Sequence, residues 1–278
     1  MSALSRRWTV RRVAAGLGRR MPLRPLRVVF PFRPWRQLFR LWLATLRAQP
    51  DRAKALRELF LAQDDAAAAL DRGALDYGDG VHPKHRLTGY HDFFVDRIAA
   101  GERVLDVGSG IGSVARDIAD RARAEVIGID TSPWSLEVAR RRFPHPRVTY
   151  LQADALDYVP DVPVDVAVLS NVLEHIAPRA QLLRALRERA GARRLLVRVP
   201  QIDRTWEVPL RRELGLPYFS DRTHELEYTP ELLRDELAAA GWRMGEPTLR
   251  WGEIWVEATA ADAPDEPAAG RPASRSPL

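Results

Sequence analysis

Three glycines and three carboxylates are spaced so that they could surround one nucleoside. The run VLDVGSGIGSVA, residues 104–115, passes from an apolar stretch straight into Gly108, Gly110 and Gly112 and then into a helical pattern. A strand, a glycine turn and a helix start in that order bring bare, positively polarised amides against a ligand. Asp130 closes the next apolar run, VIGID, where a carboxylate can accept both hydroxyls of a ribose. Asp154 follows the third run, in LQADAL, where a carboxylate beside the Ala155 amide can read an adenine edge. The blander readings are a tight turn with no ligand for the glycines and a helix cap for Asp154.

Two residues choose among adenosine ligands. A dinucleotide fingerprint asks for glycine or alanine at its third position, where Ser113 stands here, and Gly112 falls one residue early. Asp106, two residues before Gly108, would repel a pyrophosphate and attract a cationic amino group. Both features argue against NAD. They favour S-adenosylmethionine, with its zwitterionic amino acid end and positive sulfonium.

These residues need a sheet to hold them. From Arg103 to Ala258, Val/Ile/Leu runs alternate with helical patterns, which predicts parallel strands joined by helical crossovers. Strands are expected at 103–107, 125–129, 148–152, 164–169 and 194–199, with two more at 242–246 and 251–258. Only residues 247–250 separate the last two, too few for a crossover helix, so that pair is expected to be antiparallel. Upstream, Pro22, Pro25, Pro31 and Pro34 mark a linker. Trp35, Leu38, Phe39, Trp42, Leu43 and Leu46 then share one helical stripe, opposite Arg36, Arg40 and Arg47. A second helix is expected from Asp51 to about Leu70, ended by the glycine-rich turn Gly73 to Gly80. Residues 259–278, with six alanines and four prolines and no periodicity, are expected to be a disordered tail.

With VLDVGSGIG, VIGIDTS, LQADAL, DVAVLSNVLEHI and the closing antiparallel pair in place, the chain resembles the class I S-adenosylmethionine-dependent methyltransferases over about residues 85–258. The resemblance implies an α/β fold: a Rossmann-like, doubly wound, mostly parallel seven-stranded sheet with an antiparallel last strand, plus N-terminal helices. It implies that the first motif cradles the methionine portion, that Asp130 holds the ribose, that Asp154 lies by the adenine, and that Ser170 to His175 line the methyl-transfer site. The candidate cofactor set is Arg86, Asp106, Gly108, Ser109, Gly110, Gly112, Asp130, Thr131, Asp154, Ala155 and Asn171. The expected organisation is a basic arm with an amphipathic helix (1–50), a helical cap (51–100), the methyltransferase domain (101–258) and the tail (259–278).

The acceptor is narrowed by what is missing. There is no cysteine, so a thiol nucleophile for pyrimidine carbon methylation is excluded, along with disulfides and thiolate metal sites. Methyltransferases acting on exocyclic base amines resemble one another in an Asn or Asp-Pro-Pro-aromatic motif, where Ser170-Asn171-Val172-Leu173 stand here. Ser170 and Asn171 supply no charge for a catechol-type magnesium site, so no metal is expected. Selectivity is expected in the insertion 200–230, with Asp203, Arg204, Trp206, Tyr218, Asp221, His224 and Tyr228, and in an upstream lid carrying His82, His85, Arg86, Tyr90 and His91. His224, His175 and Asp221 are the candidate catalytic residues, each with the alternative of a purely structural hydrogen bond. The reading is O-methylation of a small molecule or of a cell-envelope saccharide or lipid.

Residues 1–50 hold 12 arginines and no acid, while residues 51–278 carry a net charge of −6. Any pull toward a polyanion therefore belongs to the arm. Its apolar stripe docks either on its own domain, on a partner, or on an anionic membrane through residues 1–49. No stretch is long and apolar enough to span a bilayer or to serve export after Arg6 and Arg7, so a cytoplasmic protein is expected, with the membrane's inner face as the peripheral option. The use of 41 arginines against Lys54 and Lys84 points to a GC-rich bacterial source. Two rival functions remain: an RNA methyltransferase that uses the arm for phosphates, and a non-enzymatic cofactor-binding module.

Overall fold

The computed structural model describes residues 32–262. The proline linker up to Pro31, most of the arm's arginines and nearly all of the expected tail lie outside them. The chain divides into two compact units between Gln63 and Asp64. In the first, helix α1 (Phe32–Arg47) carries the amphipathic stripe, with Trp35, Leu38, Phe39 and Trp42 exposed and Leu46 buried. Helix α2 (Arg52–Tyr77) runs past the expected stop at Leu70. Gly73 does not break it, because one glycine in a long helix costs only about 1 kcal/mol.

The second unit holds the sheet. Short helices α3 (Lys84–Thr88) and α4 (Tyr90–Val95) precede β1 (Arg103–Val107). There follow α5 (Ser113–Asp117), which continues into a π-helical turn, β2 (Glu125–Asp130), α6 (Pro133–Arg142), β3 (Val148–Gln152) and β4 (Val166–Ser170). The remaining elements are α7 (Arg179–Glu188), β5 (Arg194–Pro200), α8 (Glu207–Glu213), α9 (Pro230–Ala239), β6 (Trp242–Met244), β7 (Thr248–Arg250) and β8 (Glu253–Ala260). The strand order is β3-β2-β1-β4-β5-β8-β6, and β7 also pairs with β8. β1 to β5 pair in parallel, and β8 runs antiparallel to β5, β6 and β7.

Eight strands replace the expected seven. The extra one is β7, which falls in the stretch 247–250 read from sequence as a connection. It pairs with residues 253–255 of β8 while β6 pairs with 258–260, so β6 and β7 line the same side of β8, interrupted around Gly245. A two-residue turn, Trp251-Gly252, with φ of 58° and 75°, then closes the hairpin in the left-handed conformation that matches strand twist.

Period-two alternation sorts the strand residues onto two cores. Leu105, Val107, Ala167, Leu169, Leu195 and Val197 pack against α7 and α9 through Leu182, Leu183, Leu186, Leu233 and Leu237. Val104, Val126, Val166, Val168 and Leu196 pack against α4, α5 and α6 through Phe93, Phe94, Val114, Ala115 and Leu136. Two charged residues interrupt the second face. Asp106 follows Val104 in β1, Arg198 follows Leu196 in β5, and both are buried. The strand order reverses between β1 and β4, and in open α/β sheets the crevice beyond the carboxyl ends at that point is where ligands bind.

Candidate active site

A cleft of about 500 Å³ opens at that switch point. Its walls come from the ends of four strands: Val107 and Gly108 after β1, Asp130 and Thr131 after β2, Asp154, Ala155 and Leu156 after β3, and Asn171, Val172 and His175 after β4. The glycine loop is held from below. Asp130 Oδ2 accepts from the Gly110 amide at 2.9 Å and Oδ1 accepts from Ser132 N at 2.8 Å, so one carboxylate ties the first loop to the second. Gly110 has φ of 53° and nothing within 4 Å of a hypothetical Cβ except the Gly108 carbonyl, which leaves that side open. Asp154 spends Oδ1 on the Leu156 amide at 2.9 Å, closing a turn and not capping a helix, since none lies between β3 and β4, and it lies at the cleft wall as well.

Gly112 is needed for another reason. With φ of 85°, a Cβ there would meet Tyr150 Cζ at 2.7 Å and Cε1 at 2.8 Å. Tyr150 cannot retreat, because its hydroxyl donates to the Gly112 and Phe143 carbonyls, both at 3.1 Å. Gly112→Ala is expected to lose about 2 kcal/mol or more of stability in a denaturant melt, while Gly110→Ala, strained but not clashing, loses less.

Asp106 lies behind the loop with Oδ2 lacking a hydrogen-bond partner. Burial, and then the charge of Asp130, raise its carboxyl to about 7. Asp130, Tyr150 and Tyr90 are the titratable groups facing it, and burial keeps both phenols protonated. A cationic amino group would pair with the ionised form, so binding such a group expels a proton below about pH 7. Affinity for S-adenosylhomocysteine should therefore fall about tenfold from about pH 8 to about pH 6, read by calorimetry, and be flat in Asp106→Asn.

Beyond β4 come Asn171, a non-glycine residue at φ of 56°, and a single 3-10 turn, Leu173–His175. His175 lies in this turn, not in the helix expected after the strand. The Glu225 amide donates to the Glu174 carbonyl at 2.8 Å and fastens the insertion onto the turn. That contact brings His224 against His175, ring centroids 4.7 Å apart and edge-on. Asp221 reaches His175 only through Thr223, whose hydroxyl lies 2.7 Å from Asp221 Oδ1 and 3.0 Å from His175 Nδ1. Hydrogen bonds from Thr223 lower the Asp221 pKa, so this carboxylate accepts, the hydroxyl accepts from His175 Nδ1–H, and the His175 Nε2 lone pair is left free. Burial, followed by the neighbouring His224, lowers the His175 pKa. His224 Nδ1 lies 3.0 Å from Oε1 of the buried Glu227, which also receives Arg204 and Ser220.

Several expectations land elsewhere. Arg86 does not line this cleft. With His85 and His91 it borders a separate hollow of about 280 Å³ beside Ser113 and Asp117. Tyr90 and His91 are core residues and not a mobile lid: Arg198 stacks 3.9 Å above the Tyr90 ring, and His91 Nδ1 is 2.6 Å from Asp117. Tyr228 is fully buried, with its hydroxyl donating to Glu236, and so cannot cover a ligand. Arg204 pairs with Glu227, and Asp203 accepts from Gln201. Sequence reasoning missed Glu174, Glu227 and Thr223. Glu174 stood in plain view in NVLEHI, but its complete burial comes only from packing.

A methyltransferase-domain family model matches residues 104–193, the stretch from β1 to the start of β5. Trans-aconitate 2-methyltransferase of Methylobacterium nodulans is 35% identical over 128 residues, 45% of this chain and 49% of that protein. Ribosomal protein L11 methyltransferase of Stenotrophomonas maltophilia is 36% identical over 146 residues, 50% of this chain and 45% of that protein. Residues 104–193 belong to the methyltransferase-domain family, of the class I S-adenosylmethionine-dependent type. The fold agrees: magnesium protoporphyrin IX methyltransferase from Synechocystis with bound S-adenosylhomocysteine superposes with a TM-score of 0.51 at 20% identity, over 62% of this chain and 82% of that one. The chain spans about half the length of these two curated relatives. Its cofactor is S-adenosylmethionine. The surroundings of the cleft suit that cofactor, with an orphaned buried carboxylate oxygen at Asp106, next to the cleft-lining Val107, and a glycine loop open at Gly110.

Proposed function

We propose that the protein transfers a methyl group from S-adenosylmethionine to a hydroxyl oxygen of a small molecule or of a cell-envelope saccharide or lipid. The supporting observation is the His175–His224 pair, neighbouring rings whose Nδ1 atoms are each engaged by another side chain, with His175 at the wall of the cleft. An oxygen acceptor must shed a proton, and a neutral imidazole of lowered pKa is suited to receive it. Asp106 would hold the cofactor's amino group, Asp130 its ribose and Asp154 its adenine. The bound cofactor supplies an electrophilic methyl group on a positive sulfur. The chain's part is alignment and exclusion of water, which the walls from Val172 and Ile176 provide. The names of its relatives cover a small organic acid and a ribosomal protein, so the acceptor class rests on the histidines.

The test is a native bacterial extract incubated with enzyme and a deuterium-methyl cofactor, then fractionated and read by mass spectrometry. Label on hydroxyl oxygens of small molecules or envelope lipids supports the reading. Label confined to RNA or protein overturns it.

The same reading places the acceptor at a membrane surface reached through α1. No helix among the described residues is long and apolar enough to cross a bilayer, but α1 exposes Trp35, Phe39 and Trp42 beside Arg36 and Arg40. Aromatic groups at a lipid interface, with arginines worth about 1 kcal/mol each near anionic headgroups, suit peripheral binding. Replacing Trp35, Phe39 and Trp42 together by serine should cut sedimentation with phosphatidylglycerol-containing vesicles at least about tenfold, with cofactor binding unchanged. Equal sedimentation of the two proteins would remove the membrane from the proposal.

A further inference from the structure

Glu174 is the least comfortable side chain in the described structure. It is fully buried, and neither carboxylate oxygen has a hydrogen-bond partner. A buried carboxyl group without partners is destabilising whether it is ionised or protonated, since a protonated one still carries an O–H with no acceptor. The nearest cation does not relieve it. Arg198 commits Nε and Nη2 to the two oxygens of Glu253, at 2.7 and 2.5 Å, and Nη1 to Ser170. Something else is required beside Glu174.

The neighbours say what. One donor atom from each of Glu174, His175 and His224 lies within 4.8 Å of the others, a spacing at which a single ion between them could touch all three. The hydrogen bonds choose the nitrogen. His175 gives Nδ1–H to the Thr223–Asp221 chain, and His224 gives Nδ1–H to Glu227. Each ring is thereby locked with an Nε2 lone pair and no proton on it. Carboxylates and hydroxyls that fix the far nitrogen of a histidine are the outer supports that metal-binding histidines carry. Glu227 is itself anchored by Arg204, Ser220 N and Ser220 Oγ, so the support is rigid.

We propose that Glu174, His175 and His224 form a binding site for one divalent first-row transition ion at the acceptor end of the cleft. Two imidazoles and one carboxylate suit zinc, iron(II) or manganese(II) better than magnesium, which prefers oxygen donors. Three protein donors leave positions open for outside ligands. Resting on the hydroxyl-acceptor reading above, those positions would take the acceptor's oxygen and make its proton easier to lose to solvent. The sequence reading expected no metal because it sought carboxylates at Ser170 and Asn171, four and three residues too early.

The experiment uses the full-length protein, stripped with chelator and titrated with cobalt(II), followed by visible absorption, and with zinc(II), followed by equilibrium dialysis. The wild type is expected to bind one equivalent of either ion and to develop cobalt d–d bands. Glu174→Gln and His224→Ala should each lower that affinity at least about tenfold. Unaltered S-adenosylhomocysteine binding in both variants shows that they are folded. No cobalt bands and no retained zinc in the wild type, or equal binding in both folded variants, overturns the site. That failure would leave the proposed methyl transfer standing with a histidine as base, and failure to find a hydroxyl acceptor would leave the metal titration untouched.

Discussion

Asp130→Ala is expected to lower cofactor affinity by at least about a hundredfold, the largest effect on binding of any single substitution in the cleft. Two losses combine. The ribose forfeits two charge-assisted hydrogen bonds of about 1.5 to 3 kcal/mol each. The glycine loop also loses its tie, since Asp130 holds the Gly110 and Ser132 amides at 2.9 and 2.8 Å in the free protein. The magnitude follows from the lower bound, since two bonds at about 1.5 kcal/mol already amount to about 3 kcal/mol, or more than a hundredfold. Asp130→Asn separates the contributions, because an amide oxygen can still accept from one of the two backbone amides. Its affinity should fall between those of wild type and Asp130→Ala. Calorimetry with S-adenosylhomocysteine reads all three, and wild-type affinity in folded Asp130→Ala would remove the ribose assignment.

His224→Ala is expected to lower turnover by about a hundredfold or more while leaving cofactor affinity within a few-fold. The split follows from position. His224 is carried by the insertion after β5 and packs on His175, whereas the cleft wall shared with Asp130 and Asp154 includes His175 and not His224. Glu227→Gln should produce a milder loss, because it leaves the imidazole in place but weakens the acceptor that holds Nδ1–H. A turnover of His224→Ala within threefold of wild type would reduce the residue to scaffolding and turn attention to His175.

The candidate cofactor cradle is legible in the chain because each part of it is local chemistry. Gly108, Gly110 and Gly112 take positive φ within five residues of one another, and Asp130 and Asp154 sit where their own strands end. The parallel strands were likewise implied by the alternation of apolar runs with helical patterns, and the antiparallel β8 by a connection too short for a helix. Backbone preference and period-two burial act over a few residues, so the sequence alone determined the fold class and the cofactor, while β7 emerged only in the folded sheet.

The acceptor end was decided only by tertiary structure. Glu174 and His224 are 50 positions apart and meet because one backbone bond, from Glu225 to Glu174, pins the insertion to the turn after β4. Whether a carboxylate is buried without a partner depends on which neighbours have already spent their donors, as Arg198 has on Glu253. The same non-local packing turned Tyr90, His91 and Tyr228 from expected ligand contacts into core. Polar residues in an insertion look alike in sequence, and only the closed packing of the folded chain separates those that support a site from those that form it.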